Sequence, residues 1–96
     1  MTLDHTELRD LEISIADRIY IQIAKWNLYL GDAGLAMKLA IECNSHLSEG
    51  ANVAARKSVE LLKVDLGGGN TTMPLARLIS PGQILDLEEI LEPYCR

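Results

Sequence analysis

Between Leu8 and Leu30 the apolar residues recur at spacings of three and four: Leu8, Leu11, Ile15, Ile19, Ile23, Trp26 and Leu30. That spacing places them on one face of a helix and predicts a first helix from about Asp4 to Leu30. Asp4 and Glu7 form a candidate capping box at its start, each side chain reaching the other's free backbone N–H. Gly31 is placed to end it. A second pattern overlaps the first. Ile13 and Ile15, then Ile19, Ile21 and Ile23, alternate with other residues, and β-branched side chains favour strands. The helix is preferred because its spacing persists further than an ordinary strand runs. On that helix Ile21 and Leu28 interrupt the side carrying Asp10, Ser14, Asp17 and Lys25, so the helix is greasy on more than one face. With Trp26 and Tyr29 they form a candidate interaction surface. The plainer role for Trp26 is core filling; the sharper one is an interface anchor, since Trp and Tyr dominate binding hot spots.

Asp32 is a candidate N-cap for a second helix, Ala33 to about Leu47, with Leu35, Leu39 and Cys43 on one face. Asn52 is a candidate cap for a third, Val53 to about Leu62. Short links predict that these neighbours pack antiparallel. Leu62, Val64 and Leu66 then alternate with Lys63 and Asp65, the period of a half-buried strand. Strand character resumes at "TTMPL", where Pro74 confines the strand to a sheet edge. Ser80, Pro81 and Gln83 fit N-cap, N1 and N3 of a last helix, again a capping box. Ile84, Leu87 and Leu91 form its apolar face, and Asp86, Glu88, Glu89 and Glu92 its solvated one. The fold expected is a single α+β domain over residues 1–96: three helices, a β-hairpin and a C-terminal helix, α-α-α-β-β-α.

Composition narrows function mainly by exclusion. The chain has 96 residues, 48% hydrophobic and 24% charged, with 14 acids against 9 bases and a net charge of −5. The bases are scattered, only Arg56 and Lys57 being adjacent, so there is no stripe to displace counterions from nucleic acid. An acidic chain is also repelled by anionic headgroups. The longest apolar stretch, Ile19 to Leu30, is broken by Gln22, Lys25 and Asn27 and is too short to cross a bilayer, which takes about 20 residues. The N-terminus is charged and is not a signal peptide. Cys43 and Cys95 therefore read as free thiols, Cys43 buried and inert. Neither His5 nor His46 has a metal-type partner four residues further on, and Ser45, Ser48 and Ser58 have no evident His–Asp arrangement. No catalytic residue, metal or cofactor is expected.

"VDLGGGNTTMPL" holds three adjacent glycines, Gly67, Gly68 and Gly69. A phosphate-binding loop needs separated glycines, then Lys and Ser or Thr opening a helix. Neither is present, and Gly67 to Asn70 are residue types that tolerate the positive φ of a hairpin turn. The turn is the preferred reading. Three glycines exceed what one turn needs, so a contact between this loop and a ligand is kept as the alternative.

Ala24-Lys25-Trp26, Leu28-Tyr29-Leu30-Gly31-Asp32-Ala33, Leu66-Gly67-Gly68-Gly69 and Pro74-Leu75 together resemble a family of short cyanobacterial proteins of unknown role, some labelled thylakoid-associated. The resemblance covers roughly Ile19 to Leu78. It carries over no catalytic residue. It implies a cytoplasmic protein found with photosynthetic membranes. The function expected is a non-enzymatic interaction or accessory protein, with a protein partner or a second copy of itself and without membrane insertion. A small-ligand-binding domain using Gly67–Gly69 is the runner-up.

Overall fold

The computed structural model describes residues 3–23, 25–65 and 71–95. Its elements are α1 (His5–Arg18), β1 (Tyr20–Ile23), β2 (Trp26–Tyr29), α2 (Leu30–Ala33), α3 (Ala36–His46), α4 (Ala51–Leu61), β3 (Lys63–Asp65), β4 (Thr72–Pro74) and α5 (Pro81–Leu91). The α+β class and the later hairpin stand as expected. Before them lies a difference: the predicted first helix stops at Arg18, and its second half is a hairpin.

The start of α1 follows its sequence closely. The Asp4 carboxylate accepts from the Glu7 amide at 2.8 Å, and the Glu7 carboxylate accepts from the Asp4 amide at 3.2 Å. Leu11 and Ile15 are fully buried. At Ile19 the backbone turns extended, with φ −99° and ψ 131°. Tyr20, Ile21, Gln22 and Ile23 then pair antiparallel with Tyr29, Leu28, Asn27 and Trp26. Ile19 and Ile21 are buried while Gln22 is exposed, the alternation of a strand. The strand wins because it buries Ile21, which a continued helix would leave on its polar side. Burying an isoleucine is worth about 1.5–3 kcal/mol, and the β-branched and aromatic residues of both runs favour strand as well.

Two further boundaries differ from expectation. Asp32 lies inside the one-turn helix α2 and caps nothing; α3 starts at Ala36 with Leu35 as its N-cap residue, which makes no side-chain cap bond. Asn52 lies inside α4, where its side chain accepts from Arg56 at 3.2 Å. The N-cap there is Gly50, at φ +100° and ψ 155°, a conformation other residues rarely adopt.

The core is assembled from α1, α3, α4 and α5, with Ile19, Ile21 and Leu30 closing one end. Helix α3 packs on α1 and α4, and α4 on α5. A 3-10 turn at Leu47–Glu49 joins α3 to α4. In the second hairpin, Lys63, Val64 and Asp65 pair antiparallel with Pro74, Met73 and Thr72. The Leu75 amide donates to the Leu62 carbonyl at 2.9 Å, so bonded and unbonded pairs alternate from there and Pro74 falls on an unbonded one. The side of Pro74 that would carry an N–H thus faces outward, as a proline in an edge strand must. The Ser80 hydroxyl accepts from the Gln83 amide at 3.3 Å and caps α5. The other half of the expected capping box is not formed, because the Gln83 side chain is engaged elsewhere.

Candidate interaction surface

The first hairpin has two edges, and among the described residues only one has its outward amides bonded within the protein. The Leu30 amide donates to the Ile19 carbonyl at 2.9 Å, so Ile19 and Leu30 form a bonded pair. Alternation then makes Ile21 and Leu28 a bonded pair as well, and leaves Tyr20 and Gln22 with their backbone groups turned away from β2. Both outward amides find partners. Tyr20 N–H donates to Gln83 Oε1 at 2.8 Å, and Gln22 N–H donates to the Leu78 carbonyl at 3.3 Å. Gln83 Nε2 in turn donates to Asp86 Oδ2 at 3.1 Å. Gln83 is a buried polar residue that covers the inner edge of the hairpin.

On β2 the same alternation turns the backbone groups of Asn27 and Tyr29 outward. Among the described residues neither amide donates to a protein acceptor. Trp26 is 76% exposed and Tyr29 38% exposed. The Tyr29 ring leans against Tyr20, with centroids 5.2 Å apart. Exposed strand edges are usually blunted by charge or proline. The second hairpin follows that rule, with Lys63 and Asp65 on β3 and Pro74 on β4. The β2 sequence, Trp-Asn-Leu-Tyr, has neither.

The four residues singled out from sequence therefore separate. Ile21 is 2% exposed and buried by its own chain. Leu28, its cross-strand partner, is half-buried. Trp26 does not fill the core; it stands in solvent with Tyr29. Gly67, Gly68 and Gly69 lie outside the described residues. The open β2 edge itself was not anticipated. The signal available for it was two four-residue runs of strand formers, Tyr20–Ile23 and Trp26–Tyr29, separated by only two residues.

Two hollows meet at the end of β2. One, of about 300 Å³, is lined by Ala16, Asp17, Tyr29, Gly31 and Asp32. The other, of about 370 Å³, shares Ala16 and Gly31 and runs on past Ile13 and Met37. Asp17 and Asp32 are exposed and enter no ion pair among the described residues.

The remaining candidates serve the fold. Asp86 and Glu89 each lie 3.8 Å from Arg18, and Glu88 lies 3.8 Å from Arg56. These acids tie α5 to its neighbours. Among the described residues no group of three or more His, Cys, Asp or Glu could hold a metal ion. His46 contacts Glu49 at 3.0 Å and Glu42 at 3.8 Å. Cys43 is buried, and desolvation pushes its thiol up to about 12, the neighbouring Ser58 hydroxyl only partly opposing this. Cys95 is half-buried, with Sγ 3.7 Å from the Leu47 carbonyl.

A family model described as "Protein of unknown function (DUF3181)" matches residues 8–94. The chain is also similar to "Thylakoid-associated protein slr0729" of Synechocystis sp. (strain ATCC 27184 / PCC 6803 / Kazusa). The two are 31% identical over 96 residues, spanning 98% of this chain and 95% of that protein. No solved structure matches.

Proposed function

The chain belongs to this family of proteins of unknown function, and from that premise we propose that it is a non-enzymatic accessory protein, cytoplasmic and peripheral to thylakoid membranes, held there by a protein partner. The observation that carries this reading is the first hairpin: an unblunted strand edge flanked by exposed Trp26 and Tyr29. Large aromatics in solvent beside unpaired backbone groups suit protein recognition. The relative's name supplies the membrane. The chain's own chemistry supports a protein contact over a lipid one. No helix of the described residues is long and apolar enough to cross a membrane. The net charge of −5 opposes adsorption to anionic lipid, where each base contributes only about 1 kcal/mol.

The test is co-sedimentation against flotation. Purified protein should sediment with native thylakoid membranes and fail to float with protein-free liposomes of thylakoid-like lipid. Protease treatment of the membranes should abolish sedimentation, and Trp26→Ala should weaken it. Strong flotation with protein-free liposomes would transfer the role of Trp26 from a protein to the bilayer and overturn the proposal.

A further inference from the structure

We propose that the partner adds an extended segment to the open edge of β2, and that this segment carries Lys or Arg where it passes Tyr29. The inference rests on the peripheral-association reading and names the chemistry of its partner.

Geometry carries the first half. The outward N–H and C=O groups of Asn27 and Tyr29 sit two residues apart on one edge, the spacing at which an added strand forms bonded pairs. The opposite edge of the hairpin is already filled by Gln83 and the Leu78 carbonyl. The edges of the second hairpin carry Lys63, Asp65 and Pro74, which discourage pairing. Among the described strands, β2 is the edge built to accept another.

Charge carries the second half. At the Tyr29 end of β2 lies the hollow containing Asp17 and Asp32, two exposed carboxylates without ion-pair partners among the described residues. At the other end lies Lys25. The edge therefore carries two carboxylates at its Tyr29 end and Lys25 at its turn end, which favours an added strand whose basic end passes Tyr29. In antiparallel addition its amino-terminal end passes Tyr29, and a basic side chain there reaches the hollow. Segments of membrane proteins next to the cytoplasmic surface are rich in Lys and Arg, which matches the partner that this site requires.

Strand addition has a sharp test, because the Asn27 N–H has no acceptor among the described residues. Asn27→Pro removes that donor without breaking a bond to β1. Asp17→Asn with Asp32→Asn removes the charge and leaves the backbone alone. The probe is a capped synthetic peptide of alternating valine and threonine with two lysines at its amino-terminal end; the control carries glutamates in place of the lysines. Trp26 is the one tryptophan in the chain, so its emission reports binding directly. The lysine peptide should shift Trp26 emission and slow hydrogen exchange at the Asn27 and Tyr29 amides. Affinity should fall about tenfold or more with Asn27→Pro and about fivefold with the double Asp variant, whose binding should also lose most of its salt dependence. Asn27→Pro, folded by circular dichroism, should no longer sediment with native membranes. Equal binding of the glutamate peptide, or no binding of the lysine peptide, overturns the proposal. So does full sedimentation of Asn27→Pro, which leaves the peripheral role standing through another surface. Dimerisation through this edge would assign it to a second copy and overturn the proposal as well. Peptide binding that Asn27→Pro abolishes, with wild type failing to sediment, would support the strand-addition site and sink the membrane reading alone.

Discussion

Gly31 meets Ala16 so closely that a Cβ on Gly31 would lie 2.8 Å from the Ala16 Cβ. Atoms of that kind do not approach to this distance, so α1 and α2 are held together by the absence of a side chain. The Ala16–Gly31 contact is also the shared floor of the two hollows beside β2. Gly31→Ala should therefore destabilise by about 1–3 kcal/mol, the usual cost of overpacking, which outweighs the helix propensity gained at one residue of a four-residue helix. Adding Ala16→Gly should recover part of the loss. Urea unfolding of the three variants measures this; a Gly31→Ala protein as stable as wild type would show that the elements separate freely.

Gln83 joins the first hairpin to α5 across 63 residues of sequence. Gln83→Leu keeps most of the volume and leaves the Tyr20 amide without its acceptor. A loss of about 1–3 kcal/mol is expected, with faster hydrogen exchange at Tyr20. Gln83→Glu retains an acceptor but sets a second carboxylate against Asp86, which the amide now contacts at 3.1 Å. The stability of Gln83→Glu should fall as pH rises through the carboxylate range, a dependence that Gln83→Leu should lack.

The two thiols should differ in reactivity. Burial holds Cys43 protonated, its pKa pushed up to about 12. Cys95 is raised too, by partial burial and by Glu92, but remains partly accessible. At about pH 8 a thiol reagent should modify Cys95 slowly in the native protein and reach Cys43 only after denaturant is added. Cys95→Ser should leave the native protein unreactive. Because the Cys43 pKa is higher folded than unfolded, its contribution is fully present below the unfolded value of 9.0 and is lost as pH climbs towards 12. Stability should decline over that window in wild type and less in Cys43→Ala.

Glu49 receives Lys57 Nζ at 2.7 Å and the His46 ring at 3.0 Å, which together hold its carboxyl below the ordinary carboxylate value. A depressed pKa stabilises the fold above the unfolded value and ceases to do so as pH falls through the folded one. Lys57→Met should return Glu49 towards its ordinary value in a carboxyl NMR titration and remove that part of the acid sensitivity. The group is exposed, so the effect belongs to the local turn between α3 and α4.

Ser58 is fully buried, and among the described residues its hydroxyl has no conventional hydrogen-bond partner, though it neighbours the weak Cys43 thiol. Removing an unsatisfied hydroxyl relieves a desolvation cost. Ser58→Ala should raise stability by about 0.5–1 kcal/mol in urea unfolding; a loss of similar size would mean that the thiol contact is a true bond.

Some local interactions were legible from spacing alone, although Asp32 and Asn52 are not the N-caps that spacing suggested. The Asp4–Glu7 box and the Ser80 cap act over three residues, and both form where the residue types place them. The faces Leu11–Ile15 and Leu87–Leu91 are buried as their periods require. Pro74 marked an edge strand because a missing N–H has the same consequence in any sheet. At the candidate site, the exposed Trp26 and Tyr29 could be named in advance as interface types, but not the edge that lies beside them.

Residues 19–30 show what spacing by itself could not decide. Ile15, Ile19, Ile23, Trp26 and Leu30 fit a helix, and Ile19, Ile21 and Ile23 fit a strand. Helix hydrogen bonds close within four residues and can be judged from the segment alone. Strand hydrogen bonds are made to other segments. Here the ladder itself is local, β1 with β2, but its inner edge is bonded to Leu78 and Gln83, which are brought to it by the packing of α5 on α4 and α1. The charges, caps and apolar periods were set by the order of residues. The choice of hairpin over helix, and which of its edges is covered, were decided by tertiary packing, because the inner edge is bonded to Gln83 and Leu78 from far along the chain.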